Sequence, residues 1–259
     1  MILTADYHTH TPYSHGKNSV DENVRAAKEA GLQKVAISDH GFSHVVFGLR
    51  RVKVQQYVKE CQAAAKKYGI EVLIGQESNI RGVNGKADLT EKDYETFDVY
   101  LCGQHVFIWY DSFTDWVKFG LGNIFSRAFD KVTPEWIKKM NTTAYINAIK
   151  KNPIDAITHL NYTCPCDTLE VAKVAADYGT YIELNSKKTH LSDEQLAEIV
   201  AKTDARFIVN SDAHWSSRVG DTKLVEEQIA RLDNFPMDRI DNIDGRFPSF
   251  RFAEYKKRM

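Results

Sequence analysis

Histidines and carboxylates that could bind metal ions recur along the sequence in short polar motifs. The densest motif is His8-Thr9-His10, in which two imidazoles stand two residues apart. On an extended segment this spacing places both side chains on one face, where they can bind the same ion. The motif alone is weak evidence, because two histidines on a solvated strand would look the same. The other candidate ligands are His15, His40, Glu77, His105, His159, Asp212 and His214.

The chemistry of this set determines which metals it suits. Imidazole together with carboxylate favours Zn²⁺, Mn²⁺ or Fe²⁺. Nine ligands are too many for one ion, and a carboxylate such as Glu77 can bridge two ions, so we expect two or three divalent cations. Such ions lower the pKa of bound water and neutralise the charge that develops on a phosphate ester. The sequence offers no activated serine or cysteine motif as an alternative nucleophile.

The ligand motifs follow segments whose residues are typical of short β-strands. Six of the seven predicted strands lead into a histidine, an aspartate or a glutamate. In parallel α/β proteins the carboxyl ends of the strands form the face on which active sites lie. We therefore expect the motifs to converge on that face. The predicted strands cover residues 2–7, 34–38, 71–74, 98–102, 156–158, 180–184 and 206–210.

Helical segments separate most of these strands. Ser19, followed three residues later by Glu22, predicts a capped helix start, and Gly31 predicts the end of that helix. Strands that alternate with helices predict a parallel sheet in an α/β fold. No linker interrupts the chain, so we predict one domain over residues 1–259, with a helical, aromatic-rich insertion or lid at about 110–151.

The overall composition excludes several classes of partner. The formal net charge is −1, which provides no general attraction for nucleic acid or for an anionic membrane surface. No apolar run approaches the roughly 20 residues that a membrane span requires. The N-terminus lacks the basic start and long apolar stretch of a signal peptide, so we expect a cytoplasmic protein. The four cysteines are too few and too scattered for a disulfide framework.

The order and spacing of the motifs resemble the PHP (polymerase and histidinol phosphatase) superfamily. The resemblance covers nearly the whole chain and looks closest to the short, stand-alone bacterial PHP phosphoesterases. The motifs that carry it are Asp6-x-His8-x-His10, His15, Ser38-Asp39-His40, Gly75-x-Glu77-x-Asn79, Gly103-x-His105, Thr158-His159, Glu183-Leu184-Asn185 and Ser211-Asp212-x-His214.

The resemblance implies a distorted (β/α)7 TIM-like barrel with a trinuclear metal centre at the C-terminal ends of the strands. It divides the candidate ligands into three groups, two of which share Glu77. Residues 110–151 do not match the short connection of the family, which leaves the choice of substrate open. The groups are His8, His10, Glu77 and Asp212 for the first ion, Glu77, His105 and His159 for the second, and His15, His40 and His214 for the third.

Several charged or aromatic side chains near the motifs could contact a substrate. Arg218 could hold a phosphate through two hydrogen bonds, and Lys188, with Lys187 beside it, could do likewise. His44 follows the turn at His40 and could also reach the substrate. For each of these residues, a solvated surface position is the alternative.

Two aspartates are adjacent in the chain to candidate ligands. Asp6 precedes His8, and Asp39 precedes His40. Carboxylates in such positions often orient metal-binding imidazoles. The alternative for both is to cap the end of a strand, and the sequence does not favour one role over the other.

An aromatic cluster marks the segment 110–151 and the residues that lead into it. We expect these side chains to form local core, with a hydrophobic lid or a contact in a homo-oligomer as the alternatives. The charged residues 251–259 predict a solvated C-terminal tail. The aromatic cluster comprises Phe107, Trp109, Tyr110, Phe113, Trp116, Phe119, Phe125 and Phe129.

The favoured function is hydrolysis of small phosphate monoesters, with histidinol phosphate or a similar metabolite as substrate. Water activated at the metal centre would attack phosphorus, and we expect Asp212, Glu77 and His214 to be the catalytic residues. One alternative is phosphodiester or exonuclease chemistry on nucleic acid, which needs a basic groove that the net charge does not indicate. The other is a non-catalytic metal-binding regulator, which the complete ligand set disfavours.

Overall fold

Seven parallel strands in chain order form a nearly closed barrel in the computed structural model, which describes residues 1–128 and 133–259. Each strand pairs with the next along the chain, as expected where helices connect successive parallel strands. All seven predicted strands are present. They are β1 Ala5–Asp6, β2 Lys34–Ile37, β3 Glu71–Asn79, β4 Val99–Gly103, β5 Ala156–Ile157, β6 Tyr181–Asn185 and β7 Phe207–Asn210.

The first and last strands approach each other and bring the barrel close to closure. Just beyond their ends, Thr9 pairs with Ala213 in a parallel bridge. Within the two strands, the side chain of Asn242 donates hydrogen bonds to the carbonyls of Ala5 in β1 and Val209 in β7, and it accepts one from the N–H of Val209. These contacts place the motifs at the start of the chain beside those near its end.

Helices lie between the strands and begin and end close to the predicted positions. Ser19 caps the first helix: its Oγ accepts from the N–H of Glu22, and the Glu22 carboxylate accepts from the N–H of Ser19. Among the described helices, none combines the length and the apolar character needed to cross a bilayer. The helices are α1 Val20–Glu29, α2 Val54–Tyr68, α3 Phe113–Asp115, α4 Gly122–Ala128, α5 Glu135–Lys151, α6 Thr168–Tyr178, α7 Asp193–Lys202, α8 Lys223–Ile229 and α9 Arg251–Lys256.

The apolar core has two parts. A small cluster, which includes Ala5, Leu101 and Ile208, is contributed by the strands, and Phe250 packs against it. The ring of Phe250 meets that of Tyr7 edge-on with centroids 4.7 Å apart. A larger cluster joins the helices to the strands. The apolar packing supports the strand ends, where polar side chains replace apolar ones.

The C-terminal segment is not the solvated tail that its charges predict. Residues 251–256 form α9, and Phe252 on this helix is fully buried. Its ring lies edge-on to Tyr94 and Tyr100, with centroids 5.0 and 5.5 Å away. The prediction was wrong because the buried ring of Phe252 anchors the helix, and Arg251 and Lys256 donate hydrogen bonds to the carbonyls of Ile149 and Phe97.

The aromatic cluster is also not the local core that we predicted. Of its described members, Phe119 is buried and Tyr110 is partly buried, whereas the other five are exposed. Phe129 lies outside the described residues. A π-helix, Trp116–Leu121, joins α3 to α4 within this segment, and the role of residues 110–151 as an insertion or lid stays a prediction. The exposed members are Phe107, Trp109, Phe113, Trp116 and Phe125.

Candidate metal centre

Glu77 lies at the centre of the polar face formed by the carboxyl ends of the strands. Its side chain is fully buried, and it belongs to β3 rather than to a turn after that strand. Its Oε1 lies 2.6 Å from His159 Nε2, and its Oε2 lies 2.7 Å from His40 Nδ1. Each carboxylate oxygen thus faces imidazole nitrogens. The ring nitrogens within 3.7 Å of the carboxylate belong to His8, His10, His40, His105 and His159.

The remaining predicted ligands extend this cluster toward solvent. Asp212 Oδ1 lies 3.3 Å from His10 Nε2. His214 Nε2 lies 2.7 Å from His15 Nε2, and the His15 ring stacks on that of His40 with centroids 4.8 Å apart. The structure therefore brings all nine residues predicted as ligands into one contiguous cluster. Binding of metal by each of them stays a prediction.

Two of these residues have a backbone conformation that residues other than glycine rarely adopt. The φ angle is +32° at His159 and +47° at Asp212. Such conformations cost about 1–3 kcal/mol each and cluster at functional sites. Both residues lie two positions beyond the end of a strand, β5 or β7. The strained turns place their side chains within the cluster.

Several atoms of the cluster face one another in an arrangement that bound cations would satisfy. His8 Nε2 and His10 Nε2 are 3.0 Å apart. Within the same cluster, His159 Nδ1 is buried and makes no hydrogen bond. His40 Nδ1 and Glu77 Oε2 are also buried and, although 2.7 Å apart, do not meet in hydrogen-bond geometry. Buried polar atoms without partners are rare in folded proteins, and imidazole with carboxylate is a suitable donor set for divalent transition metals. The residues present fit such ions.

Three sets of ligand atoms in the described part of the chain are compact enough to hold an ion, with all members within 4.8 Å of one another. The first set belongs entirely to the group implied for the first ion. His40 belongs to the other two sets, so it lies between the positions implied for the second and third ions. The sets are His8, His10 and Glu77; His40, Glu77 and His105; and His10, His40 and His214.

Glu183, which we did not predict as a site residue, fixes the orientation of His8. Its Oε1 lies 2.7 Å from His8 Nδ1 and accepts from Asn210 Nδ2 at 2.9 Å. Its Oε2 accepts from the N–H of His159 at 2.8 Å and from Asn185 Nδ2 at 3.0 Å. A proton on His8 Nδ1 leaves the Nε2 lone pair directed at the cluster. A glutamate within an otherwise apolar strand was the signal that could have identified this role.

Asn79 orients His105 in a similar way. The Asn79 amide nitrogen donates to Asp88 Oδ2 at 2.6 Å and to Ser43 Oγ at 3.1 Å. Its carbonyl oxygen therefore faces His105 Nδ1, which lies 2.7 Å away. With the Nδ1 proton used in this hydrogen bond, His105 Nε2 is free to bind an ion near Glu77.

Asp6 and Asp39 cap strand ends, and neither carboxylate makes a direct hydrogen bond to an imidazole among the described residues. Asp6 accepts from the N–H and the hydroxyl of Ser211 and from the N–H of Gly220. Asp39 accepts from the N–H of Thr11 at 2.8 Å and from its hydroxyl at 2.6 Å. Both carboxylates hold the loops that carry the ligands, since these hydrogen bonds fix the backbone beside the histidines.

Charge and burial act in opposite directions on the carboxylates of the cluster. Burial raises the pKa of Glu77, but the surrounding imidazoles, first His105 and then His8, hold it well below its usual value. Burial also opposes ionisation of Asp212, and contacts with His8 and His10 bring its pKa well below the ordinary range. Both groups are carboxylates at neutral pH, which is the state that binds metal.

Of the two lysines considered as phosphate ligands, Lys187 lies against the cluster. Its Nζ is 3.3 Å from Asp212 Oδ1 and 3.1 Å from His214 Nδ1. Lys188 instead places its Nζ 4.9 Å from the centre of the Tyr162 ring. The sequence could not distinguish the two lysines, because the backbone conformation of the turn after β6 determines where each side chain points.

Arg218 and His44 lie on different sides of the candidate site. The guanidinium of Arg218 pairs with Asp221 at 2.9 Å and donates to the carbonyl of Ser186 at 3.0 Å. The ring of His44 stacks on His40 with centroids 5.0 Å apart. Burial, and then the neighbouring His40, lower the pKa of His44 to about 4, so this ring is neutral at physiological pH.

Comparison with known proteins identifies similar sequences over nearly the whole chain. The model of the PHP domain family matches residues 6–187. A protein of Proteus mirabilis named "probable phosphatase" is 29% identical over 95% of this chain and 92% of its own length. Another of that name, from Caldanaerobacter subterraneus, is 30% identical over 92% of this chain and 85% of its own length.

A solved structure has a similar fold. Histidinol phosphate phosphatase from Lactococcus lactis, in a complex with zinc, L-histidinol and phosphate, aligns with a TM-score of 0.51. The alignment covers 88% of this chain and 94% of that one, at 14% sequence identity. At this level of identity the likeness concerns the barrel fold.

Proposed function

This chain belongs to the PHP domain family and is a metal-dependent phosphatase, and we propose that it hydrolyses small phosphate monoesters at a centre of three divalent ions. The observation that carries the proposal is the convergence of imidazoles from widely separated strands on the buried carboxylate of Glu77. A buried glutamate between so many histidines would be costly to maintain for packing alone.

The proposed division of ligands is the one that the family resemblance implies. The compact set His8, His10 and Glu77 supports its first group, whereas His40 lies in sets that adjoin both of the others. Ions held there would polarise a phosphate ester, activate water and neutralise developing negative charge. Zinc, manganese and iron are all compatible with the ligand chemistry. The proposed ligands are His8, His10, Glu77 and Asp212 for the first ion, Glu77, His105 and His159 for the second, and His15, His40 and His214 for the third.

Asp212 is the cluster's carboxylate that a substrate can reach. Its side chain is 9% exposed, whereas that of Glu77 is completely buried. We assign Asp212 the role of accepting a proton from the attacking water, with Glu77 and His214 holding the geometry of the centre. Lys187, whose ammonium group lies 3.3 Å from Asp212 Oδ1, can move to a phosphoryl oxygen and offset its charge.

The substrate that fits this chemistry is a small phosphorylated metabolite, and histidinol phosphate is one compound to test. Monoesters are favoured over nucleic acid because the net charge of −1 provides no general attraction for a polyanionic backbone. The uncatalysed hydrolysis of a phosphate monoester is among the slowest reactions in biology, so it requires the strong stabilisation of charge that several cations would provide.

The direct test is turnover of an aryl phosphate by the purified protein supplied with Mn²⁺ or Zn²⁺. We expect activity in the wild type and a loss of at least about a hundredfold in His8→Ala and in Glu77→Ala. Asp177→Ala, on the exposed face of α6, is the control for a substitution outside the site. Full activity in the His8→Ala, Glu77→Ala double variant would refute the assignment of the site.

A further inference from the structure

An apolar cavity of about 480 Å³ lies beside the candidate metal centre. Residues 45–46, 106–110 and 112–113, with part of the π-helix, contribute most of its lining. Several of its side chains are unusually open to solvent for their type: Trp109 is 66% exposed, Phe107 67% and Phe113 76%. A cavity of this volume is within the range that holds a small organic ligand.

The cavity wall is continuous with the metal ligands. The loop after His40 pairs with the segment after His105: the N–H of Val45 donates to the carbonyl of Phe107 at 2.9 Å, and the N–H of Trp109 donates to the carbonyl of Ser43 at 2.8 Å. Val45, which lines the cavity, lies five residues after His40. Val106, another lining residue, directly follows the proposed ligand His105. The cavity therefore adjoins two segments that carry the proposed ligands His40 and His105.

The chemistry of the lining specifies what the cavity can bind. None of the described residues that form it is charged. Its two side-chain hydroxyls are already used, because Tyr110 donates to the carbonyl of Val106 and Ser112 donates to Asp115. The surface is thus formed by aliphatic and aromatic side chains, which favour an uncharged apolar group and disfavour an ammonium or a second phosphate.

We propose that this cavity binds the apolar organic portion of a phosphate monoester while its phosphate lies at the metal centre. The proposal rests on the proposed function and refines it: the preferred substrate has an aliphatic or aromatic leaving group rather than a charged one such as histidinol. The cavity would act as a specificity-determining site, since each buried methylene favours binding by a roughly constant amount.

A homologous series of n-alkyl phosphates from ethyl to octyl tests this inference. The alcohols from ethanol upward differ little as leaving groups, so the rate reports burial of the chain rather than intrinsic reactivity. We expect kcat/KM to rise by up to about fourfold per methylene until the cavity is filled. A series in which kcat/KM does not change with chain length would overturn the inference while leaving the phosphatase assignment intact.

Substitutions within and outside the cavity localise the effect. Trp109→Ala should reduce the ratio of kcat/KM for hexyl over ethyl phosphate by roughly tenfold, because it removes apolar surface from the lining. Trp136→Ala is the matched control, since that tryptophan on α5 is 57% exposed and does not line the cavity. If Trp109→Ala and Trp136→Ala have the same ratio of kcat/KM for hexyl over ethyl phosphate, with unchanged melting temperatures, the cavity does not bind the alkyl chain.

Binding of non-hydrolysable alkylphosphonates provides a readout that does not depend on turnover. Calorimetric titration of the metal-loaded protein should give a dissociation constant at least about tenfold lower for hexylphosphonate than for ethylphosphonate. Equal constants would overturn the inference. A flat series together with dimerisation that Trp109→Ala abolishes would assign the cavity to a second copy of the chain instead. If no ester in the series is hydrolysed but the phosphonate preference holds, the proposed function fails and the cavity assignment stands.

Discussion

The Glu183 carboxylate accepts four hydrogen bonds, two at each oxygen. Glu183→Gln replaces one oxygen by an amide group, which would direct its protons toward other donors. We expect this variant to lose about 10- to 100-fold in metal affinity or in kcat/KM, because His8 is no longer held with its Nε2 toward the cluster. Competition with a metal-chelating indicator measures the affinity.

A matched control for Glu183→Gln is Glu170→Gln in the first turn of α6, where the carboxylate is exposed. It should bind metal as the wild type does. Indistinguishable affinities in all three proteins would show that the hydrogen bonds of Glu183 serve the fold alone.

Lys187 and Lys188 form a natural pair for testing how phosphate is held. Lys187→Ala removes an ammonium group that lies 3.3 Å from Asp212 Oδ1, and we expect KM for an aryl phosphate to rise by about tenfold. Lys188→Ala should change KM by less than about twofold, because its side chain lies over Tyr162. Steady-state kinetics at fixed metal concentration measure KM for both variants. A larger rise in KM for Lys188→Ala than for Lys187→Ala would exclude Lys187 from phosphate binding.

At the residue scale, the sequence indicates candidate metal ligands more readily than the residues that orient them. His8 and His10 alone would be weak evidence, but they stand out because further histidines and carboxylates follow the other predicted strands. Glu183 and Asn79 both lie in the motifs that resemble the PHP superfamily, but their orienting roles were not predicted, because such a role depends on what lies across the barrel. The sequence also does not predict where the Lys187 side chain points, because the turn after β6 sets its direction.

At the scale of single elements, β3 is longer than its sequence indicates. Gly75 and the polar residues after it look like a turn, yet the strand continues to Asn79. Its first half pairs with β2 and its second half with β4, as register pairs such as Ile37 with Ile74 and Gly75 with Val99 show. Polarity did not end the strand because the upper part of the barrel is lined by a polar cluster.

Asp155, directly before β5, makes a pH-dependent contribution to stability. Its buried carboxyl accepts from the N–H of Tyr100 at 2.9 Å and from that of Phe252 at 2.8 Å, which links β4 to α9. Burial nevertheless raises its pKa from 3.8 to about 7. The folded protein therefore retains a proton that the unfolded chain releases above pH 4. This contribution is complete below about pH 4 and is lost as pH rises through about 7.

The expected size of this effect is roughly 4 kcal/mol in the free energy of unfolding between those limits. Urea unfolding of the wild type and of Asp155→Asn, with a chelator present, should give curves of stability against pH that differ in slope between about pH 4 and 7. Asp177→Asn on the exposed face of α6 controls for the substitution itself. Parallel curves for the wild type and Asp155→Asn would contradict the assignment.

At the scale of the whole molecule, alternating strand and helix signals were sufficient to predict the barrel. The closure between β1 and β7 was not predictable, because it depends on Asn242, a residue far from both strands in the sequence. The exposure of the aromatic cluster was not predictable either. Aromatic side chains are usually buried, and nothing in the sequence indicates that several of these would instead line a cavity at the surface.

Metal removal should affect the whole molecule and not only its activity. Without cations, the imidazoles and carboxylates of the cluster form a buried polar network that is only partly satisfied. We expect a chelator to lower the melting temperature by roughly 10 °C and to abolish turnover, with both restored by Mn²⁺ or Zn²⁺. Calorimetry with and without chelator measures the shift, and an unchanged melting temperature would show that the cluster is stable without ions.

The central claim is that side chains from across the barrel share several cations around Glu77. The most direct measurement is the number of divalent ions per chain, obtained by elemental analysis of the protein after saturation with metal and removal of excess. The wild type should hold three ions per chain, and Glu77→Gln should hold at least one fewer. No bound metal in the wild type, or an equal number in the variant, would contradict the claim.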